Sequence, residues 1–168
     1  MKRFIFTLTA ILGLALAASA QNYAVVNSEK IFKSIAKYNE AITQLDQLAS
    51  DYQTKVDAKF EEVEKLYNAY MQRRSQLSAA SQAANEENIL KLEQEATEYQ
   101  ESIFGTEGAL MQKRLELIQP IQKEVFAAIE KYAKQKGYDM IIDISQNATM
   151  LYYSERADQT DAIIAMLK

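Results

Sequence analysis

Residues 45–77 read LDQLASDYQTKVDAKFEEVEKLYNAYMQRRSQL. Leu45, Ala49, Tyr52, Val56, Lys59, Val63, Leu66, Tyr70, Arg73 and Leu77 fall on alternating four- and three-residue steps. That period of 3.5 is a heptad seam, the pattern of a helix that packs along another helix. Lys59 and Arg73 are its two polar members. The helical pattern begins near Tyr38.

Working outward, the large apolar residues vanish at Ser78-Ala79-Ala80-Ser81-Gln82-Ala83-Ala84-Asn85, and Asn85 is a candidate cap for a new helix opening with Glu86 and Glu87. A second seam follows through Ile89, Leu92, Ala96, Tyr99, Ile103, Thr106, Leu110, Lys113 and Leu117. Two such seams around a small-residue stretch predict an antiparallel hairpin with its tip near 78–86. Reflection about Ser81 pairs Leu45 with Leu117, Tyr52 with Leu110, Val63 with Tyr99 and Tyr70 with Leu92; a register slipped by one heptad matches as well. Gly105 and Gly108 fall inside the second helical pattern, each costing about 1 kcal/mol relative to Ala. Together with Pro120, which removes a backbone donor, they are candidate hinges of the arm.

The flanks are different. Tyr23-Ala24-Val25-Val26 reads as a strand, followed by a helical turn with Asn27 or Ser28 as cap and Ile31 and Phe32 as apolar face. Beyond Pro120, Ile121, Val125, Ala128, Ile129 and Tyr132 continue an apolar helix face that Lys134, Lys136 and Gly137 close. Tyr138 to Ile144 and Met150 to Tyr153 are β-like runs around the turn Ser145-Gln146-Asn147, and they predict a β-hairpin. Asp158 is the expected cap of a last helix carrying Asp161, Ile163, Ile164 and Leu167. Isolated short strands are marginal in water, so the two ends of the chain must meet. The expected fold is mainly α with a small β body (α+β): a long antiparallel helical hairpin arm, about 41–120, projecting from a small sheet-containing oligomerisation body, 21–40 and 121–168. Val25, Val26, Ile141, Ile142, Leu151 and Ile164 are the candidates for its core or subunit interface.

Residues 1–20 read as a cleavable export signal. Lys2 and Arg3 form the charged start, Phe4 to Ala17 the apolar stretch, and Ala18-Ser19-Ala20 the cleavage site, with a mature start near Gln21. The apolar stretch is short for a bilayer span, so no stable membrane anchor is expected. With neither Cys nor His in 168 residues, thiol nucleophiles, disulfides, Cys/His zinc sites and a lipidated Cys are excluded. The sequence also lacks a glycine-rich phosphate loop, so an enzyme is not expected, nor any cofactor or metal. Glu61, Glu62 and Glu64 read as a solvated helix face rather than paired catalytic carboxylates, and Asp139 and Asp143 as strand-end residues rather than cation ligands.

Cleavage leaves 17 basic against 23 acidic residues, a net of −6, and from Asp51 to Gln112 there are 6 basic and 12 acidic residues. A phosphate backbone needs a basic footprint, so nucleic acid is not an expected partner. Phe60 and Tyr67 sit beside the seam, and Met71, Phe104 and Met111 away from it. These five apolar side chains are scattered singly among charges rather than gathered in one patch that would drive self-association.

The chain resembles the Skp/OmpH family. The resemblance is carried by Tyr23-Ala24-Val25-Val26-Asn27-Ser28-Glu29-Lys30-Ile31-Phe32 behind the export signal, the charged coiled-coil region, and Pro120-Ile121. It continues with Lys136-Gly137-Tyr138-Asp139-Met140-Ile141-Ile142-Asp143 and Leu151-Tyr152-Tyr153, in that order over the mature chain. It implies a periplasmic, ATP-independent holdase. Three copies would join through their strands and enclose unfolded outer-membrane β-barrel proteins between their arms, with Phe60, Tyr67, Met71, Phe104 and Met111 as the candidate client contacts. The best-known members are strongly basic, whereas these arms are acidic, and Arg73, Arg74 and Lys91 are the only basic residues near the tip. The resemblance therefore does not carry a lipopolysaccharide site onto this chain. A structural coiled-coil tether of the cell envelope is the competing reading of the same heptads.

Overall fold

A computed structural model describes residues 22–146 and 149–168. The expected export signal, Gln21 and Asn147 of the expected turn lie outside the described residues. The order is β1 (Tyr23–Val26), α1 (Ser28–Lys33), α2 (Ala36–Arg73), α3 (Ala79–Phe104), α4 (Ala109–Lys136), β2 (Met140–Asp143) and α5 (Thr160–Met166), with single 3₁₀ turns at Arg74–Gln76 and Glu155–Ala157. The protein is mainly α with a small β body. It divides into two compact units, one of residues 36–122 and one of the described parts of 1–35 and 123–168. α4 gives its first half to one unit and its second half to the other.

The sheet unit is built on one pairing. β1 and β2 run parallel, with Tyr23 opposite Met140 and Val26 opposite Asp143. The ladder extends at both ends, where Asp139 N donates to Asn22 O at 2.9 Å and Ile144 N donates to Val26 O at 2.8 Å. Ala24, Val25 and Val26 are all buried. A strand buried at consecutive residues is covered on both faces, as parallel strands require. On its other side β1 meets Asp158, and Gln159 N donates to Val25 O at 2.9 Å. The expected β-hairpin is therefore corrected. β2 takes the chain's first strand as partner, and residues 150–153 are not a strand. The physical cause lies at Asp143. Its carboxylate accepts from Ser28 N and Ser28 Oγ and from Ser145 N and Ser145 Oγ, which draws the chain after β2 toward the start of α1.

Val26, Ile31, Val125, Tyr132 and Ile163 form the buried cluster, with Phe32, Ile35, Ile129, Tyr138, Ile141, Ala162, Ile164 and Leu167 packed against it. Asn27 caps α1 by accepting from Lys30 N at 2.9 Å. Thr160, a buried polar residue, is fully used: it accepts from Asn27 N at 2.8 Å and donates through its hydroxyl to Asp158. Asp158 also accepts from Thr160 N at 2.9 Å, although the residue flanking α5 is Gln159, one position later than expected. Asp161, expected in a capping-box place, instead pairs with Lys30 at 2.7 Å. At the end of α4, Gly137 takes a φ of +69° and Tyr138 N reaches back to Ala133 O at 3.0 Å. A left-handed residue closed by that six-to-one bond is the Schellman stop, which favours glycine.

In the hairpin unit, α2 runs 38 residues, about 57 Å at 1.5 Å per residue. Its buried residues are Ala41, Leu45, Val56 and Tyr70, and α3 buries Ala96 and Ile103. The helix after the turn starts earlier than expected. Ser78 caps α3 by accepting from Ser81 N at 3.2 Å, so Asn85 lies inside the helix, where its amide donates to Ser81 O. The register also differs from reflection about Ser81. Tyr99 carries the Lys59 ammonium 5.1 Å from its ring centre, and Tyr70 OH donates to Glu86. The first contact sits about one helical turn from the expected Val63–Tyr99 pair and the second between one and two turns from the expected Tyr70–Leu92 pair, because the chain reverses at Leu77 and Ser78. The seam lysine Lys59 is thereby accommodated: its charge rests on an aromatic face.

Asp143 gives the sheet unit an acid sensitivity. Burial raises its pKa, but the four bonds from Ser28 and Ser145 outweigh that and hold it below its ordinary value. Its contribution to stability is complete above about pH 4 and drains as pH falls through the lowered folded value. Asp143→Asn is expected to lower stability by about 1 kcal/mol at neutral pH, after allowance for solvent screening. In urea titrations the gap between variant and wild type should close as pH falls through the lowered folded value. A gap that is unchanged at low pH would show that the charged carboxylate is not what the loop depends on.

Candidate functional site

The turn end of the hairpin holds a groove of about 430 Å³ lined by Tyr67, Tyr70, Met71, Arg74, Glu86, Ile89, Leu90 and Glu93. Its geometry starts from the seam. Tyr70 is buried, and its hydroxyl donates to Glu86 across the hairpin while accepting from Arg74 Nε at 3.0 Å. The Arg74 guanidinium lies 3.5 Å from the Glu86 carboxylate, closing a three-membered network. Burial, and then the bond to Glu86, push the Tyr70 hydroxyl above its ordinary pKa, so it stays protonated and donating. Gln82 Nε2 donates to Arg74 O at 3.0 Å and Leu77 O at 3.1 Å, which ties the turn that follows α2 to the start of α3. With the turn fixed in this way, Tyr67 and Met71 on α2 and Leu90 on α3 are exposed, at 48%, 47% and 64%.

The five expected client contacts do not form one site. Tyr67 and Met71 share the groove, while Phe60 is half-buried on α2. Phe104 ends α3 and Met111 lies in the first turn of α4, and both are exposed. Leu90 and Leu115 are equally exposed and were not among the expected contacts. The signal for Leu90 was its place beside seam residue Ile89: an apolar side chain one step off a heptad seam has no partner helix to cover it. Glu61, Glu62 and Glu64 are solvent-exposed, and Glu61 pairs with Lys65 at 2.6 Å.

The expected hinge residues differ in kind. Gly105 and Gly108 are not inside a helix: α3 ends at Phe104, α4 begins at Ala109, and the two glycines bound the break. A Cβ at Gly105 would lie 2.4 Å from Glu101 O, and one at Gly108 would lie 2.4 Å from Ile103 O, both rigid backbone. Gly108 O then receives Gln112 N at 3.1 Å, starting α4. Thr106, assigned to the seam by spacing, falls in this break and is exposed. Pro120 lies within α4, which continues through it.

In the sheet unit Val25 and Val26 are buried, Ile141 and Ile164 pack on the buried cluster, and Ile142 is half-buried. Leu151 is 95% exposed, beside Tyr152 at 82%. Among the described residues, no group of three acidic, His or Cys side chains is placed to hold a metal ion. No helix among them is long and apolar enough to cross a membrane.

With this geometry in place, the sequence can be set against known proteins. The profile of the family described as outer membrane protein (OmpH-like) matches residues 22–167. The chain belongs to the OmpH-like family. A search of curated proteins finds none that matches.

The break between α3 and α4 yields a test. Replacing both glycines with Ala places Cβ atoms on backbone carbonyls, and the double variant should lose about 1–3 kcal/mol in urea unfolding. Unchanged stability together with a gain in helical circular dichroism would mean that the break is not enforced by these contacts.

Proposed function

We propose that this OmpH-like protein is an ATP-independent periplasmic holdase. In this reading residues 1–20 are removed on export, and residues 21–168 form a single domain that assembles as a homotrimer. The hairpins of the three copies bind unfolded outer-membrane β-barrel proteins and keep them from aggregating in transit. Catalysis and a cofactor have no part in it.

The observation that carries the proposal is the surface of the hairpin. Tyr67, Met71, Leu90, Phe104, Met111 and Leu115 are exposed on helices that are otherwise charged. Exposed apolar residues scattered singly are ordinary, so their number within the one unit of residues 36–122, several of them adaptable methionines and aromatics, is what supports client contact. Membership of the OmpH-like family supports the same reading. A fixed tether would be expected to bury such residues against one permanent partner. A holdase needs them free, interrupted by charge, and anchored by a rigid turn such as the Tyr70–Glu86–Arg74 network provides.

The exposed Leu151 and Tyr152 support self-association of the sheet unit. A short sheet unit with a small buried cluster commonly gains its stability from a further copy.

The test begins with the protein from Gln21 onward. A urea-unfolded outer-membrane barrel protein is diluted into it and followed by light scattering, with an acidic coiled coil as control. Aggregation should stop near one client for each trimer. Aggregation equal to that in the control would remove the holdase reading and leave the tether.

A further inference from the structure

We infer that the groove at the turn end of the hairpin takes extended segments that are both apolar and cationic, so that this protein prefers clients rich in such segments. The inference rests on the holdase reading and specifies the chemistry of its partner.

From Asp51 to Gln112 there are 12 acidic and 6 basic residues. Lys65, Arg74 and Lys91 are engaged with Glu61, Glu86 and Glu95. Lys55 and Lys59 lie over the rings of Tyr52 and Tyr99, at 5.7 and 5.1 Å from the centroids, rather than on carboxylates. The tyrosines thus absorb cations that would otherwise neutralise the helix surface. Among the described residues of this span, only Glu61, Glu86 and Glu95 carry an ion pair, which leaves the other carboxylates without a cation.

The groove concentrates that imbalance next to apolar surface. Met71, Ile89 and Leu90, with the ring of Tyr67, give it apolar walls. Its one cation, Arg74, is already shared between Tyr70 and Glu86. Glu93, exposed at the rim, carries no ion pair among the described residues, and Glu87 is exposed on the adjoining turn. An occupant therefore meets apolar contact and uncompensated negative charge together. An anionic segment would desolvate against carboxylates with no free cation in the groove's lining to receive it, since the remaining basic residue, Arg73, lies outside that lining and donates through Nε to Ala69 O, which is the costly case. A Lys or Arg beside an aromatic or aliphatic side chain satisfies both features, and its long stem adds apolar contact. Charge complementarity at this exposed site acts on encounter and selection and weakens with salt, whereas the apolar part does not.

The experiment uses the full chain from Gln21 and two fluorescent probes. One is a short unstructured peptide of Leu and Phe interspersed with Lys; the other is its twin with every Lys replaced by Glu. Fluorescence anisotropy at about 50 mM salt should show the Lys peptide bound about tenfold or more tightly than its twin, and the difference should collapse near 500 mM. Glu93→Lys, an exposed substitution outside the seam, should reduce that ratio. Equal binding of the twins, or a tighter Glu peptide, overturns the charge preference and leaves the holdase reading intact. A ratio that Glu93→Lys does not move overturns the groove as its location. Failure of both peptides alongside failed suppression of aggregation removes the holdase reading itself.

Discussion

Everything in the sheet unit depends on a pairing between residues more than a hundred positions apart in sequence. β1 is four residues long, and such a strand is not stable by itself. It survives because β2 lies along one side and Asp158 and Gln159 close part of the other, burying Ala24, Val25 and Val26. Parallel strands cannot be joined by a tight turn and need a crossover. Here the crossover includes the whole helical hairpin. The small hydrogen-bonded details serve the same pairing: Asp143 gathers Ser28 and Ser145 at one end, and Thr160 links Asn27 to Asp158.

The hairpin follows a different rule. Its seam is narrow and interrupted by Lys59, so apolar burial alone does not explain its register. Polar groups that would be penalised in a dry seam are given partners at its aromatic residues. Tyr99 receives Lys59, and Tyr70 joins Glu86 to Arg74. The same tyrosines that pack the seam therefore decide where charge is left over. Packing and surface electrostatics come from one set of side chains, and the substitution of one changes both.

Long-period features were legible in the sequence. The 3.5-residue step gave away both helices, Gly137 the stop of α4, and Tyr23 to Val26 the first strand. What could not be read was pairing between separate elements. Met150 to Tyr153 has strand-like composition, yet composition does not say whether a partner is within reach, and Asp143 turns the chain away. Gly105 and Gly108 fit the helical pattern because a heptad count passes over a short break without losing phase. The turn was misplaced for a similar reason: Ser78 and Asn85 are both good caps, and spacing does not choose between them. Among site residues, Tyr67 and Met71 share the groove with Leu90, a residue whose type alone does not distinguish a packed position from an exposed one.

The parallel strand pair also sets an order of events. Helices α2 and α3 meet through near neighbours across one tight turn, so they can close as soon as residues up to Phe104 are available. β1, the earlier segment, has no partner until Met140–Asp143 arrives. Contacts of such sequence separation form slowly, since the loop entropy must be spent before they repay it. During that interval Val25, Val26 and Ile31 lack their native cover. β1 is thus, for a time, an unfolded apolar segment of the kind that the proposed holdase surface would take up.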